Sequence, residues 1–196
     1  MHPELLSLSF ILFATSCSPG PNNIVASYSA FNFGIIKTFP HILGVVLGFT
    51  SLVFLLNFGL INIFETYPLI QKILKFAGSI FLLYIAYKIS FSKTNAENKN
   101  ENPVKFIETF TFQFLNPKGV IVAIIVVSTY VESGPNYINY SMWVIGLSFF
   151  FAVLSILFWT FIGKFLRKFA TNENFIKWFN YIMSIFLLIC IASFYY

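Results

Sequence analysis

The sequence predicts an all-α integral membrane protein: six transmembrane helices forming two inverted three-helix repeats, the first and fourth helices broken at proline motifs. Composition is the first ground. Of 196 residues, 58% are hydrophobic, 20% aromatic and only 10% charged, with a mean hydropathy of +0.80, whereas soluble domains carry about 25% charged residues. The second ground is segmentation, since six stretches reach the roughly 20 apolar residues needed to cross a bilayer. The third is an internal echo. Pro19 and Pro117 stand 98 positions apart, and the same offset carries His41, early in the second segment, to Asn139, early in the fifth, and Lys72 to Ala170, just before the sixth. Three spans per half is an odd number, so the halves insert in opposite senses, and interrupted helices in corresponding places are the sequence mark of a transporter site at the midplane.

The first segment runs from Glu4 to Asn32 and is interrupted at Ser18-Pro19-Gly20-Pro21-Asn22-Asn23. Two prolines around a glycine cannot continue a helix, because each lacks an N–H and clashes with the preceding turn. Broken backbone at membrane depth is tolerated only where protein buries it or where it lines a watery cavity. The second half-helix then starts at Asn22 and Asn23, with free N–H groups and about half a positive charge at its end. Ala14-Thr15-Ser16-Cys17 faintly resembles a lipoprotein cleavage site, but Met1-His2-Pro3-Glu4 contains no Lys or Arg, so a retained membrane helix is expected.

The second and third segments are Thr38 to Phe64 and Leu69 to Phe91. Gly44 and Gly48 form a Gly-x-x-x-Gly pair suited to close helix packing. Residues 92–105, rich in Asn, Lys and Glu, cannot bury a core and read as a solvated linker between repeats 1–91 and 106–196. The fourth segment, Phe106 to Tyr130, is broken at Asn116-Pro117-Lys118, and Ile138 to Gly163 and Phe175 to Tyr195 complete the set. A lysine inside an apolar helix costs about 2.5–3.5 kcal/mol on insertion scales, so Lys118 either pairs in the interior or snorkels to an interface. Trp143, Trp159 and Trp178 are expected at interfaces.

Cation placement sets the orientation. Lys37, Lys88, Lys93, Lys99, Lys105, Lys164, Arg167, Lys168 and Lys177 fall on one side, against Lys72 and Lys75 on the other. The positive-inside rule puts the linker in the cytoplasm and both termini outside. The formal charge of +5 therefore reports topology, and no nucleic-acid partner is expected. The Lys164–Lys168 cluster suits anionic lipid headgroups as well.

The motif run Ser18-Pro19-Gly20-Pro21-Asn22-Asn23, then Phe33-Gly34, Pro40 and Leu43-Gly44-Val45-Val46-Leu47-Gly48-Phe49, with a second signature at Phe114-Leu115-Asn116-Pro117-Lys118, resembles the LysE/RhtB superfamily of amino-acid exporters. The resemblance spans the chain and implies proton-driven export of amino acids or related small metabolites across a bacterial inner membrane. In that reading Pro19, Gly20, Pro21, Asn22 and Asn23 with Lys118 hold the substrate carboxylate, and Gln113, Asn116 and carbonyls freed at Pro117 hold the ammonium. Family members often carry an Asp or His within the second or third helix; here Ser51 to Asn62 offers only Ser51, Asn57 and Asn62. His41 and Glu108 are the remaining proton-coupling candidates. With two His, no Asp and no His/Glu pair at metal spacing, neither a metal nor another cofactor is expected, and an intramembrane enzyme is disfavoured. A carrier for another solute, such as a cation, and a non-catalytic scaffold subunit stand as alternatives. Cys17 and Cys190 read as small hydrophobes, and a homo-oligomer is compatible with all of this.

Overall fold

A computed structural model describes residues 4–91, 103–132 and 134–195; most of the expected linker, 92–102, lies outside the described residues. Every regular element among them is helical: α1 Leu5–Cys17, α2 Pro21–Phe33, α3 Ile35–Leu55, α4 Ile61–Thr66, α5 Pro68–Ser90, α6 Phe106–Leu115, α7 Pro117–Tyr130, α8 Tyr137–Arg167 and α9 Glu173–Ser193. A π-helical turn, Leu56–Leu60, joins α3 to α4.

Among the described residues, four stretches are long and apolar enough to cross a membrane: Ile35–Phe64, Pro68–Ser90, Tyr137–Arg167 and Glu173–Ser193. The pair α6 and α7 qualifies as a fifth when taken together, bent by 62° at its break. α1 and α2, of 13 residues each, reach about 20 Å apiece, short of the roughly 30 Å hydrocarbon core. Large apolar side chains cover the outside, Leu6 being 87% and Ile36 89% exposed. Such a surface suits lipid rather than water.

Two apolar cores hold the bundle. One is built chiefly by α1, α3, α7 and α8, with Leu8, Leu52, Ala123 and Val144 at its centre. The other is built by α2, α5, α6 and α9, around Ile24, Phe31, Ile85 and Leu187; Phe31 and Phe179 stack there at 3.7 Å. Each proline-separated pair thus gives one helix to each core. The two chain breaks meet at the junction between the cores, and that is where the polar side chains gather.

The Gly44/Gly48 face packs within the protomer, onto α6. A Cβ at Gly44 would come within 2.7 Å of the Thr109 Cβ, and one at Gly48 within 2.6 Å of the Gln113 Cγ. Hydrogen there lets α3 and α6 approach closely enough to bring Gln113 to the first break.

Candidate functional site

At the end of α1 the helix leaves carbonyls that its own backbone cannot satisfy. Side chains from distant parts of the chain take them. Asn23 Nδ2 donates to the Ser16 and Ser18 carbonyls at 2.8 and 3.1 Å, and the Ser155 hydroxyl donates to Ser16 O at 2.6 Å. Trp159 Nε1 donates to Cys17 O at 3.2 Å. Lys118 Nζ donates to Ser18 O, Ser18 Oγ and Pro19 O at 3.1, 2.7 and 3.2 Å. The ammonium therefore sits at the negative end of the α1 dipole, where a cation is stabilised. Lys118 is thus partnered by the first break.

Across the break, the start of α2 is held differently. Asn22 and Gln113 form a reciprocal amide pair, with Nδ2 to Oε1 at 2.8 Å and Nε2 to Oδ1 at 3.2 Å. Gln113 Nε2 also donates to the Thr109 carbonyl at 2.8 Å. His41 Nε2 lies 3.0 Å from the Asn22 carbonyl and Nδ1 lies 2.9 Å from the Thr109 hydroxyl. A carbonyl only accepts, so Nε2 carries the proton and the neutral ring takes the Thr109 proton at Nδ1. Asn22 is consequently fixed twice, to α6 through its amide and to His41 of α3 through its backbone.

The N-termini of α2 and α7 have no side-chain cap. Their first turns, through Gly20, Pro21, Asn22 and Asn23 and through Asn116, Lys118 and Gly119, line one cavity of about 80 Å³, together with Gln113, Ser155 and an apolar wall that includes Phe49 and Val122. At about 10–15 Å³ per water-sized site, the space suits a molecule the size of a small amino acid. Two positive helix ends and the Lys118 charge face it, which favours an anionic group. No carboxylate is among the lining residues. Asn116, 3% exposed, lines the cavity and has a buried Oδ1 with no partner in the protein.

Of the residues singled out in the sequence, Gly20, Pro21, Asn22, Asn23, Gln113, Asn116 and Lys118 come together on the cavity. Pro19 contributes its carbonyl to Lys118, and Pro117 opens α7; neither lines the space. His41 stands behind the lining as a brace. Glu108 lies elsewhere: its carboxylate accepts from the Lys105 N–H at 2.8 Å and caps α6. Sequence reasoning missed Trp159, Ser155 and Thr109. Trp159, expected as an interface marker, caps the first break instead. The only signal for the three is their placement one face inward on apolar helices, which many structural side chains share.

Residues 13–196 match the protein family described as LysE type translocator. Along its whole length the chain is 30% identical to a cysteine/O-acetylserine efflux protein of Salmonella choleraesuis (strain SC-B67), whose full length is covered. The protein of the same description from Escherichia coli (strain K12) is 27% identical, again over the full length of both chains. No solved structure matches.

Proposed function

The chain belongs to the LysE type translocator family, and from that membership we propose that it exports small neutral amino acids, of the cysteine and O-acetylserine class, across the bacterial inner membrane. The observation that carries the site is the convergence of two uncapped helix N-termini and the unpartnered Asn116 amide on one cavity without a carboxylate. The helix ends take the substrate carboxylate, and the Asn116, Asn22 and Gln113 side chains that line the cavity take the ammonium once the Asn116 amide turns toward it. A cationic side chain would find no counter-charge in such a pocket, whereas the Phe49 and Val122 wall accepts a short neutral one.

In this reading 1–91 and 106–196 are inverted repeats joined by a cytoplasmic linker at 92–105, both termini are outside, and α1/α2 and α6/α7 are broken spans with the cavity at the midplane. Two features support it: α3 packs on α8, and α5 on α9, each helix against its counterpart in the other half. Rocking of the halves then alternates access to a fixed site. Lipid covers the apolar exterior.

The test is efflux of preloaded labelled amino acids from proteoliposomes, with and without an imposed pH gradient. Release of cysteine and O-acetylserine but not lysine is expected, faster with the gradient. Release of lysine at the same rate would overturn the substrate assignment, and release indifferent to the gradient would remove proton coupling.

A further inference from the structure

We propose that the outward route from the cavity runs between α3 and α8, along a polar stripe of Thr50 on α3, Asn57 in the π turn that continues it, and Ser148 and Ser141 on α8. This rests on the cavity being the substrate site. The route leads away from the Lys/Arg-rich ends of the helices, toward the face assigned above as outside.

The distribution of satisfied and unsatisfied polar groups carries the inference. In the half built on α2, α5, α6 and α9, buried polar side chains have partners: Ser29 bonds to Thr38, Asn180 accepts from Asn32, and Ser184 donates to the Ala86 carbonyl. Among the described residues, the buried side-chain atoms lacking one are Asn116 Oδ1 in the cavity and Thr50 Oγ1, Asn57 Oδ1, Ser141 Oγ and Ser148 Oγ. All four of the latter sit on α8 or on α3 and the π turn that continues it. Helical hydroxyls often turn back to the carbonyl four residues earlier, as Thr15, Ser128 and Thr160 do here. Ser141 and Ser148, 2% and 0% exposed, do not.

Spacing joins these groups into a track. Thr50 and Asn57 are seven apart, as are Ser141, Ser148 and Ser155, and a seven-residue step of two turns keeps one helix face. Ser155 lines the cavity, so the α8 row begins at the substrate. Phe49 shares that cavity with Ala152 and Ser155, while the Tyr137 hydroxyl donates to the Asn57 carbonyl. The helices therefore run antiparallel, with Thr50 at the level of Ser148 and Asn57 near that of Ser141. At its far end the track reaches the π turn, where Gly59 has φ 120° and α3 is already unwound. An orphaned buried polar group is costly, and four on one interface are matched when the two helices part and water or a zwitterion passes between them. Hydroxyls, which both donate and accept, suit either end of that zwitterion.

The experiment is thiol accessibility during transport. Ser141→Cys and Ser148→Cys, with Ser184→Cys as control, are exposed in cells to a membrane-impermeant thiol reagent, with and without O-acetylserine. Labelling is read site by site by peptide mass spectrometry, and export by the unmodified protein is measured alongside. The expected result is severalfold faster labelling at 141 and 148 with substrate and none at 184. Export by the unmodified protein with both sites unlabelled, or labelling at 184 equal to theirs, would overturn the route alone. No export at all would remove the cavity reading and the route with it. Should the cysteine variants not fold, Ser148→Val keeps the question open to measurement: a raised melting temperature with a severalfold loss of maximal efflux is expected, and wild-type efflux would overturn the route.

Discussion

Lys118 Nζ lies 2.7 Å from the Ser18 hydroxyl, so the second chain break caps the first. The same ammonium reaches the Ser18 and Pro19 carbonyls, and this uses all three of its donors. One residue thereby ties the end of α1 to the start of α7 and leaves its charge beside the cavity.

Lys118→Met removes three charge-assisted hydrogen bonds, leaving the Pro19 carbonyl without this donor while the Ser18 carbonyl keeps Asn23 Nδ2. Hydrogen bonds to charged groups contribute about 1.5–3 kcal/mol each, less where partners can relax. A lowered melting temperature in detergent and loss of efflux are expected together. Gly20→Ala tests the same contact without removing it, since its Cβ would lie 2.9 Å from Nζ. The lysine tip must then shift, and efflux should fall with a smaller change in melting temperature. Wild-type behaviour of both variants would contradict the brace.

Asn116→Leu should behave in the opposite way. Its Oδ1 has no protein partner, so no hydrogen bond is lost, and replacing an unsatisfied buried amide by an apolar group is neutral or stabilising. The melting temperature is expected to hold or rise while efflux falls at least about tenfold, corresponding to about 1.4 kcal/mol of lost substrate interaction. Destabilisation with efflux retained per folded molecule would assign Asn116 to the scaffold.

Much of this arrangement was legible in the sequence, for a physical reason. Pro19 and Pro21 flank a glycine and Pro117 follows an asparagine, so each run stops one helix and starts the next, whereas the lone Pro40 sits inside continuous α3; amides beside the breaks in apolar surroundings need partners. Pro19–Asn23 and Gln113–Lys118 could therefore be paired without coordinates. The partners on unbroken helices could not. Trp159 and Ser155 occupy ordinary inward positions on α8, and only the close approach of α8 to α1 turns them into caps. Nor does the sequence distinguish Asn57, bonded through Nδ2 to the Val53 carbonyl but orphaned at Oδ1, from a satisfied core amide. The π turn at Leu56–Leu60 was missed because Asn57-Phe58-Gly59 lacks the proline that marks the breaks at Pro19–Pro21 and Pro117.

The Asn22–Gln113 pair is expected to couple energetically. Asn22→Ala and Gln113→Ala each leave one amide without its partner, and the double variant removes both. A double-mutant cycle on thermal stability should give about 0.5–3 kcal/mol of interaction energy, the range for residues in contact. Additive effects would mean that the two amides are held independently, Asn22 by its backbone and Gln113 by Thr109.

His41 was singled out as a possible proton carrier, yet its ring is 2% exposed, and both nitrogens are engaged, by the Asn22 carbonyl and the Thr109 hydroxyl. It is not among the residues lining the cavity, so a proton on Nδ1 would have to displace the Thr109 hydroxyl as donor before leaving. A brace and a carrier are separable by one measurement. His41→Asn shortens the link between α3 and α6 and should reduce folded protein and maximal efflux. As a brace, it leaves the ratio of efflux with and without a pH gradient at the wild-type value. Loss of gradient dependence with efflux retained would assign the proton to His41, and the hydrogen bond to the Asn22 carbonyl would then be the link by which protonation reaches the first break.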